Sequence, residues 1–187
     1  KMNYYKRAIL EDLQLKLKPN KVLILLGARR VGKTQIIKKY LESTNENVLQ
    51  LNGEDINDAR LLEERSASNY TKLLQNVSIL IIDEAQSITD IGLILKLIVD
   101  SIEGIKVIAT GSSMFDLANK LGEPLVGRKN TIYLFPLSQM EFTQFENYKQ
   151  TIEKLEERLL YCGYPEVTHY DSWKKKHTYL REIVNSY

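Results

Sequence analysis

The sequence predicts an α/β protein in which a five-stranded parallel sheet lies between two helical layers, a three-layer sandwich, followed by a C-terminal helical annex. Three observations predict it. Short all-apolar runs alternate with helical patterns from Val22 to Phe135, as expected when strands buried on both faces are joined by helical crossovers. A glycine-containing segment, Gly27 to Thr34, stands between the first such run and the first helix after it. After Pro136 the strand signal ceases and only helical signals remain, so the chain divides into a core of residues 1–136 and an annex of residues 137–187.

The elements follow in order. Ile9, Leu10, Leu13 and Leu17 have helical spacing within Tyr4–Leu17, and Pro19-Asn20 ends that helix. Val22–Leu26 is the first buried strand, and Lys33–Leu41 reads as the helix after the glycine segment. Val48–Leu51 is a second strand, and the polar stretch Asp55–Gln75 is helical in pieces. Ile79–Ile82 is a third strand. Ile91, Ile94, Leu95, Ile98 and Ile102 form one helical face over Ile91–Ile102. Lys106–Thr110 is a fourth strand, Met114–Leu121 a short helix and Thr131–Phe135 a fifth strand, closed by Pro136. In the annex, Ser138 with Glu141 fits a capping box. Ile152–Tyr161 and Trp173–Val184 read as helices separated by a turn at Cys162–Pro165.

Composition sets bounds. A length of 187 residues suits one domain with a sizeable core. The 43% hydrophobic and 27% charged fractions exclude a disordered chain. A net charge of +2 steers no particular partner, so a nucleic-acid surface would need local clustering. Lys174-Lys175-Lys176 beside Trp173 is such a cluster, but it reads first as a solvated helix face. The single cysteine, Cys162, permits no internal disulfide and reads as a buried thiol. The apolar runs are too short to span a bilayer. These features predict a soluble cytoplasmic protein with no membrane partner.

The segment Gly27-Ala28-Arg29-Arg30-Val31-Gly32-Lys33-Thr34 has the phosphate-loop pattern in its required setting, strand before and helix after. Gly27 and Gly32 permit backbone geometry that a side chain would block. Successive N–H groups can then face phosphate oxygens, aided by the positive end of the following helix. Lys33 supplies a charge for the β- and γ-phosphates, and Thr34 offers a hydroxyl to magnesium. Gln35 follows directly on that helix. Arg29 and Arg30 are extra to the pattern; each reads as a contact to phosphate, a contact to a neighbouring acid, or a solvated charge.

Ile79–Ile82 runs into Asp83 and Glu84. An acid at the carboxyl end of a strand beside a phosphate loop holds magnesium directly or through water, which suits Asp83. A second acid beside it can activate an attacking water, which suits Glu84. Gln86 is placed to orient water or to make a domain contact. The fourth strand ends in the polar turn Thr110-Gly111-Ser112-Ser113, with Thr110 still inside the strand. Ser112, then Ser113, are candidates to sense a γ-phosphate, and either also suits a helix N-cap.

The loop G-A-R-R-V-G-K-T, the strand I-L-I-I-D-E-A-Q, the turn A-T-G-S-S and the stretch L-V-G-R-K-N-T-I-Y-L-F-P-L-S-Q-M-E-F occur in that order. Together they resemble AAA-like prokaryotic P-loop ATPases that carry a C-terminal domain of unknown function. Gly163-Tyr164-Pro165-Glu166 and Tyr179-Leu180-Arg181 extend the likeness. The resemblance implies the P-loop NTPase fold of the additional-strand, catalytic-glutamate class, with the Ser112 strand between those of the loop and Asp83. It implies Arg128 as an arginine reaching a γ-phosphate, in its own subunit or in a neighbour within a homo-oligomer. It implies Arg7 as an adenine contact. It also implies a longer protein, so the chain reads as a shortened product whose protein or DNA recognition lies in a following domain.

The combined expectation is an ATP hydrolase that uses Mg2+ and drives a conformational switch. Lys33, Glu84, Arg128 and Ser112 would be catalytic, Thr34 and Asp83 metal-binding, and Gly27 to Gln35 with Arg7 nucleotide-binding. One alternative is a nucleotide-gated binding module with negligible turnover. Another is a small-molecule kinase, which the adjacent Asp83-Glu84 pair and the lack of an arginine-rich lid disfavour. No Asn/Thr-Lys-x-Asp segment reads guanine, which favours ATP.

Overall fold

The computed structural model describes residues 4–112 and 124–185. Ser113 and the helix expected over Met114–Leu121 lie outside the described residues. The core elements are α1 (Ile9–Lys16), β1 (Lys21–Leu26), α2 (Lys33–Leu41), β2 (Val48–Asn52), α3 (Ile56–Glu63), α4 (Ala67–Leu73), β3 (Ile79–Asp83), α5 (Ile91–Ser101), β4 (Lys106–Gly111) and β5 (Lys129–Tyr133). The annex holds α6 (Gln139–Phe142), α7 (Tyr148–Glu153), α8 (Leu155–Tyr161) and α9 (Trp173–Asn185).

The sheet order is β2-β3-β4-β1-β5, and every pairing is parallel. β4, which leads to Ser112, therefore separates the phosphate-loop strand from the Asp83 strand, as the family resemblance implies. Along β1 the side chains alternate between two cores. Val22, Ile24 and Leu26 pack with Leu62, Tyr70 and Leu95 on one face. Leu23 and Leu25 pack with Leu13, Ile36 and Ile37 on the other. Each such leucine or isoleucine contributes about 1.5–3 kcal/mol by leaving water, so covering both faces holds β1 rigidly and aims its carboxyl end.

β5 begins and ends two residues before the predicted span. Its pairing with β1 starts at Val22↔Lys129. As an edge strand it carries polar Lys129 and Asn130, which an apolar run does not reveal. The single predicted helix over Ile152–Tyr161 is two helices, with a break at Lys154 (φ −96°, ψ −1°). α7 opens on a capping box between Asn147 and Gln150. The box at Ser138 and Glu141 is present as predicted.

Two annex expectations are corrected. Cys162 is exposed rather than buried, because it caps α8 at positive φ (61°) and turns outward. Lys176 is buried rather than solvated: its ammonium pairs with Glu157 and lies 5.8 Å from the Tyr161 ring centre.

The annex is fastened to the core through backbone and charge. Within the annex, Leu137 N–H donates to Gly163 O at 2.7 Å. The buried Arg7 donates from Nε to Glu141 Oε1 (2.9 Å), from Nη1 to Val31 O (2.8 Å) and from Nη2 to Phe135 O (2.6 Å). Glu141 Oε1 also accepts from Ala8 N–H at 2.9 Å. Burial pushes the Glu141 pKa up, but the Ser138 N–H, the Arg7 guanidinium and the Ala8 N–H outweigh it and hold it below the ordinary carboxylate range. Among the described residues no helix is long and apolar enough to cross a membrane.

Candidate functional site

The carboxyl ends of β1, β3 and β4 converge on one chamber. Gly32 ends the phosphate loop at φ 101°, a left-handed turn into α2 that a side chain would strain. Lys33 opens α2 and folds back over the loop. Its buried ammonium donates to Gly27 O at 2.9 Å and Ala28 O at 3.2 Å. It lies 3.9 Å from Glu84 Oε1. Burial holds its pKa below the ordinary lysine range, with Glu84 and Asp83 opposing that fall and Arg29 adding to it. An ammonium in this state gains strongly from an added anion, because burial has already removed its water.

Thr34 Oγ1 donates to Asp83 Oδ2 at 3.3 Å. A hydroxyl and a carboxylate oxygen on adjoining elements are a donor set suited to a hard divalent cation. Among the described residues no group of three or more His, Cys, Asp or Glu side chains could hold a metal, and a hard cation held by Thr34 and Asp83 would complete its shell with water or ligand oxygens.

Glu84 adopts a left-handed backbone (φ 47°, ψ 46°), which turns the chain sharply after β3. The bend is packed tightly: Gly53 N–H donates to Asp83 O at 2.8 Å, and a Cβ on Gly53 would stand 2.5 Å from Glu84 O. Gln86 Nε2 donates to Glu84 Oε2 at 2.6 Å and to Ser112 Oγ at 3.3 Å. The amide thus joins the two residues that the sequence assigns to water activation and γ-phosphate sensing. Ser112 is buried at the end of β4.

The chamber has a volume of about 710 Å3 and is lined by Arg29, Arg30, Gly32, Lys33, Thr34, Gln35, Glu54, Glu84, Pro165 and Glu166. A second cavity of about 370 Å3 adjoins it through Gly32, Gln35 and Pro165, with Tyr4, Tyr5, Arg7, Leu137 and His169 as further walls. The annex therefore contributes to both cavities. Arg30, at φ 63°, does not point into the chamber alone: its guanidinium lies 5.1 Å from the Tyr179 ring centre, and Nη1 is 3.7 Å from Glu182. The Tyr179 hydroxyl is pushed up to about 12, by burial first and by the neighbouring Glu166 second.

Two predicted residues stand differently from expectation. Arg7 lines the smaller cavity, but its Nε, Nη1 and Nη2 are all committed to protein acceptors, and through Val31 O it braces the loop from behind. Arg128 precedes β5, and its carbonyl accepts from Val22 N–H at the amino end of β1. The phosphate loop leaves the opposite end, roughly 20 Å away for a six-residue strand, which is farther than an arginine side chain extends. Arg128 instead pairs with Asp100 at 2.6 Å. In this arrangement Arg128 does not reach the phosphate loop of its own chain.

Sequence reasoning missed Gly53, Glu54, Thr110, Pro165 and Glu166. Thr110 is read as a strand residue, which it is, but its hydroxyl contacts both acids: it donates to Asp83 Oδ1 and accepts from Glu84 N–H. The apolar-to-polar change at Ala109-Thr110 is its only trace in the sequence.

With this geometry in place, comparisons with known proteins decide the family. The family profile described as "AAA domain" matches residues 19–143. The chain belongs to the AAA domain family. It is 32% identical over 197 residues to the uncharacterized protein MJ1544 of Methanocaldococcus jannaschii, covering 96% of this chain and 43% of that protein. The AAA chain thus spans under half the length of that relative. Among solved structures it resembles the Walker-type ATPase paby2304 of Pyrococcus abyssi (TM-score 0.57, 18% identity, 88% of this chain and 65% of that one). It also resembles the STAND protein with a tetratricopeptide repeat sensor, PH0952, from Pyrococcus horikoshii (TM-score 0.60, 16% identity, 100% and 33%). At these identities the structural likeness establishes the fold alone, and membership of the AAA domain family supports nucleotide binding.

Proposed function

We propose that the chain binds ATP with Mg2+ and hydrolyses it, and that hydrolysis moves the annex. The observation that carries the reading is the convergence of Lys33, Thr34, Asp83 and Glu84. The metal-type pair meets at 3.3 Å, and the would-be base lies 3.9 Å from the phosphate-loop ammonium. Loop N–H groups and Lys33 bind the phosphates, Thr34 and Asp83 hold the cation, and Glu84 takes a proton from the attacking water. Ser112, linked to Glu84 through Gln86, contacts the γ-phosphate. Bound magnesium supplies positive charge that offsets the charge of the transition state. The base occupies the smaller cavity, whose tyrosine, leucine and proline walls suit an aromatic ring. Arg128 serves only a neighbouring copy, in a homo-oligomer.

The switching part rests on Arg30. Triphosphate in the chamber competes with Tyr179 and Glu182 for the guanidinium and repels Glu166, so α9 is loosened from the loop. Trp173, the only tryptophan, begins α9 and reports the change.

The test is phosphate release with wild type and Glu84→Gln, alongside Trp173 emission on ATP addition. Release should fall about 10²–10⁴-fold with nucleotide affinity retained, and emission should change. Equal release from both proteins overturns the base assignment, and unchanged emission overturns the switch. A second reading, a nucleotide-gated module with negligible turnover, is favoured by the 2.6 Å hold of Gln86 on Glu84. Tight ATP binding without release from wild type would select it.

A further inference from the structure

Thr110 is wholly buried in β4, yet its hydroxyl makes no use of its own backbone. The β3–β4 register pairs Ile82 with Ala109, which sets Thr110 beside Asp83, where β3 ends and one residue before β4 does. The hydroxyl is used twice. Glu84 N–H donates to Thr110 Oγ1 at 3.1 Å, and the hydroxyl proton points to Asp83 Oδ1. Because an N–H can only donate, that contact orients the hydroxyl as a donor toward the carboxylate. Asp83 therefore has one oxygen occupied from the β4 side, while Oδ2 faces Thr34 at 3.3 Å.

We propose that Thr110 is a positioning residue that holds Asp83 Oδ1 and so presents Oδ2 alone to the Mg2+ shared with Thr34, while fixing the backbone from which Glu84 projects. This rests on the nucleotide reading of the site given above. Without the hydroxyl, the carboxylate is free to rotate about its Cβ–Cγ bond, and the part-buried Glu84 N–H loses its acceptor. Partners that orient a metal-binding group typically matter about 10–100-fold in metal affinity. Thr34 and the phosphate loop are untouched, so metal-free nucleotide binding should be preserved.

The experiment compares wild type, Thr110→Val and Thr110→Ser for binding of a fluorescent ATP analogue, in EDTA and across a Mg2+ titration, with no turnover needed. Thr110→Val should raise the half-saturating Mg2+ concentration about tenfold, leave the EDTA affinity within about twofold, and give unfolding temperatures that match with and without EDTA. Thr110→Ser, which keeps the hydroxyl, should restore the wild-type Mg2+ response. Should the valine variant not fold, Thr110→Cys carries the same prediction, since a thiol fills the space but donates weakly. A wild-type Mg2+ response in Thr110→Val or Thr110→Cys overturns the proposal. Equal weakening in EDTA and in Mg2+ also overturns it, because a merely structural role acts on both. A wild-type protein whose nucleotide affinity ignores Mg2+ overturns the underlying reading and the proposal with it, and is distinct because it shows before any variant is made.

Discussion

The two ends of the parallel sheet carry similar charged groups and treat them differently. At the carboxyl end, Lys33 and Glu84 face each other with side chains only 6% and 22% exposed. At the amino end, Arg128 and Asp100 pair with both side chains 39% exposed. Charges at the carboxyl end are oriented by a hydroxyl at Thr110, an amide at Gln86 and loop carbonyls. Pairs at the amino end, such as Lys106 with Glu46, rest in partial contact with water. The difference teaches that burial and strand direction, rather than residue type, separate a reactive charge from a solvated one. In a parallel sheet every crossover brings its polar turn to the same end.

The comparison can be broken most forcefully at the brace behind the loop. Arg7→Ala leaves Glu141 buried without its cation and should cost about 3–5 kcal/mol, measured by denaturant unfolding. Its pH dependence follows from Glu141. The folded pKa is depressed, so the stabilisation is complete above the unfolded value of about 4.3 and is lost as pH falls through the lower folded value. Glu141→Gln should flatten that acid limb; an unchanged limb would show that the pair contributes nothing.

A smaller effect is expected at Gly53. Gly53→Ala places a methyl 2.5 Å from Glu84 O, forcing the left-handed bend to shift. Misplacing the base by about 1 Å should reduce phosphate release on the order of 10²-fold, with metal-free nucleotide affinity intact. Full activity would mean that the bend does not set the base.

The smallest effect belongs to the amino end. Arg128→Ala removes an exposed pair that adds little to stability, and monomeric protein should bind nucleotide as wild type does. A loss of release that appears only at concentrations where the chain self-associates would sharpen the contrast, by showing that Arg128 completes a neighbour's chamber.

Much of this arrangement is legible in the sequence because it is local. The phosphate loop is one continuous segment, and Asp83-Glu84 end an unmistakable apolar run. The Ser138–Glu141 box is read from its spacing, and the helix bounds of α2 are read correctly. What escaped depends on neighbours far along the chain. Thr110 matters through the β3–β4 register and Gly53 through its approach to the Asp83–Glu84 bend. Pro165 and Glu166 reach the chamber only because the annex folds back. Glu141 is visible as a cap, but its second oxygen serves Arg7, 134 positions earlier. The sequence leaves open whether Arg128 acts in its own chain or in a neighbour's, because a motif carries no record of which end of its strand it occupies.

The Arg7–Glu141 contact also sets an order of events during synthesis. Glu141 is made 134 residues after Arg7. At about 5–20 residues per second, that interval is on the order of 10 s. The apolar strands β1, β3 and β4 can pair during that time, but the back of the phosphate loop stays unlatched until the first annex helix emerges. The nascent chain thus acquires its sheet before its finished chamber, and a turn made after the whole sheet closes around a side chain made before it.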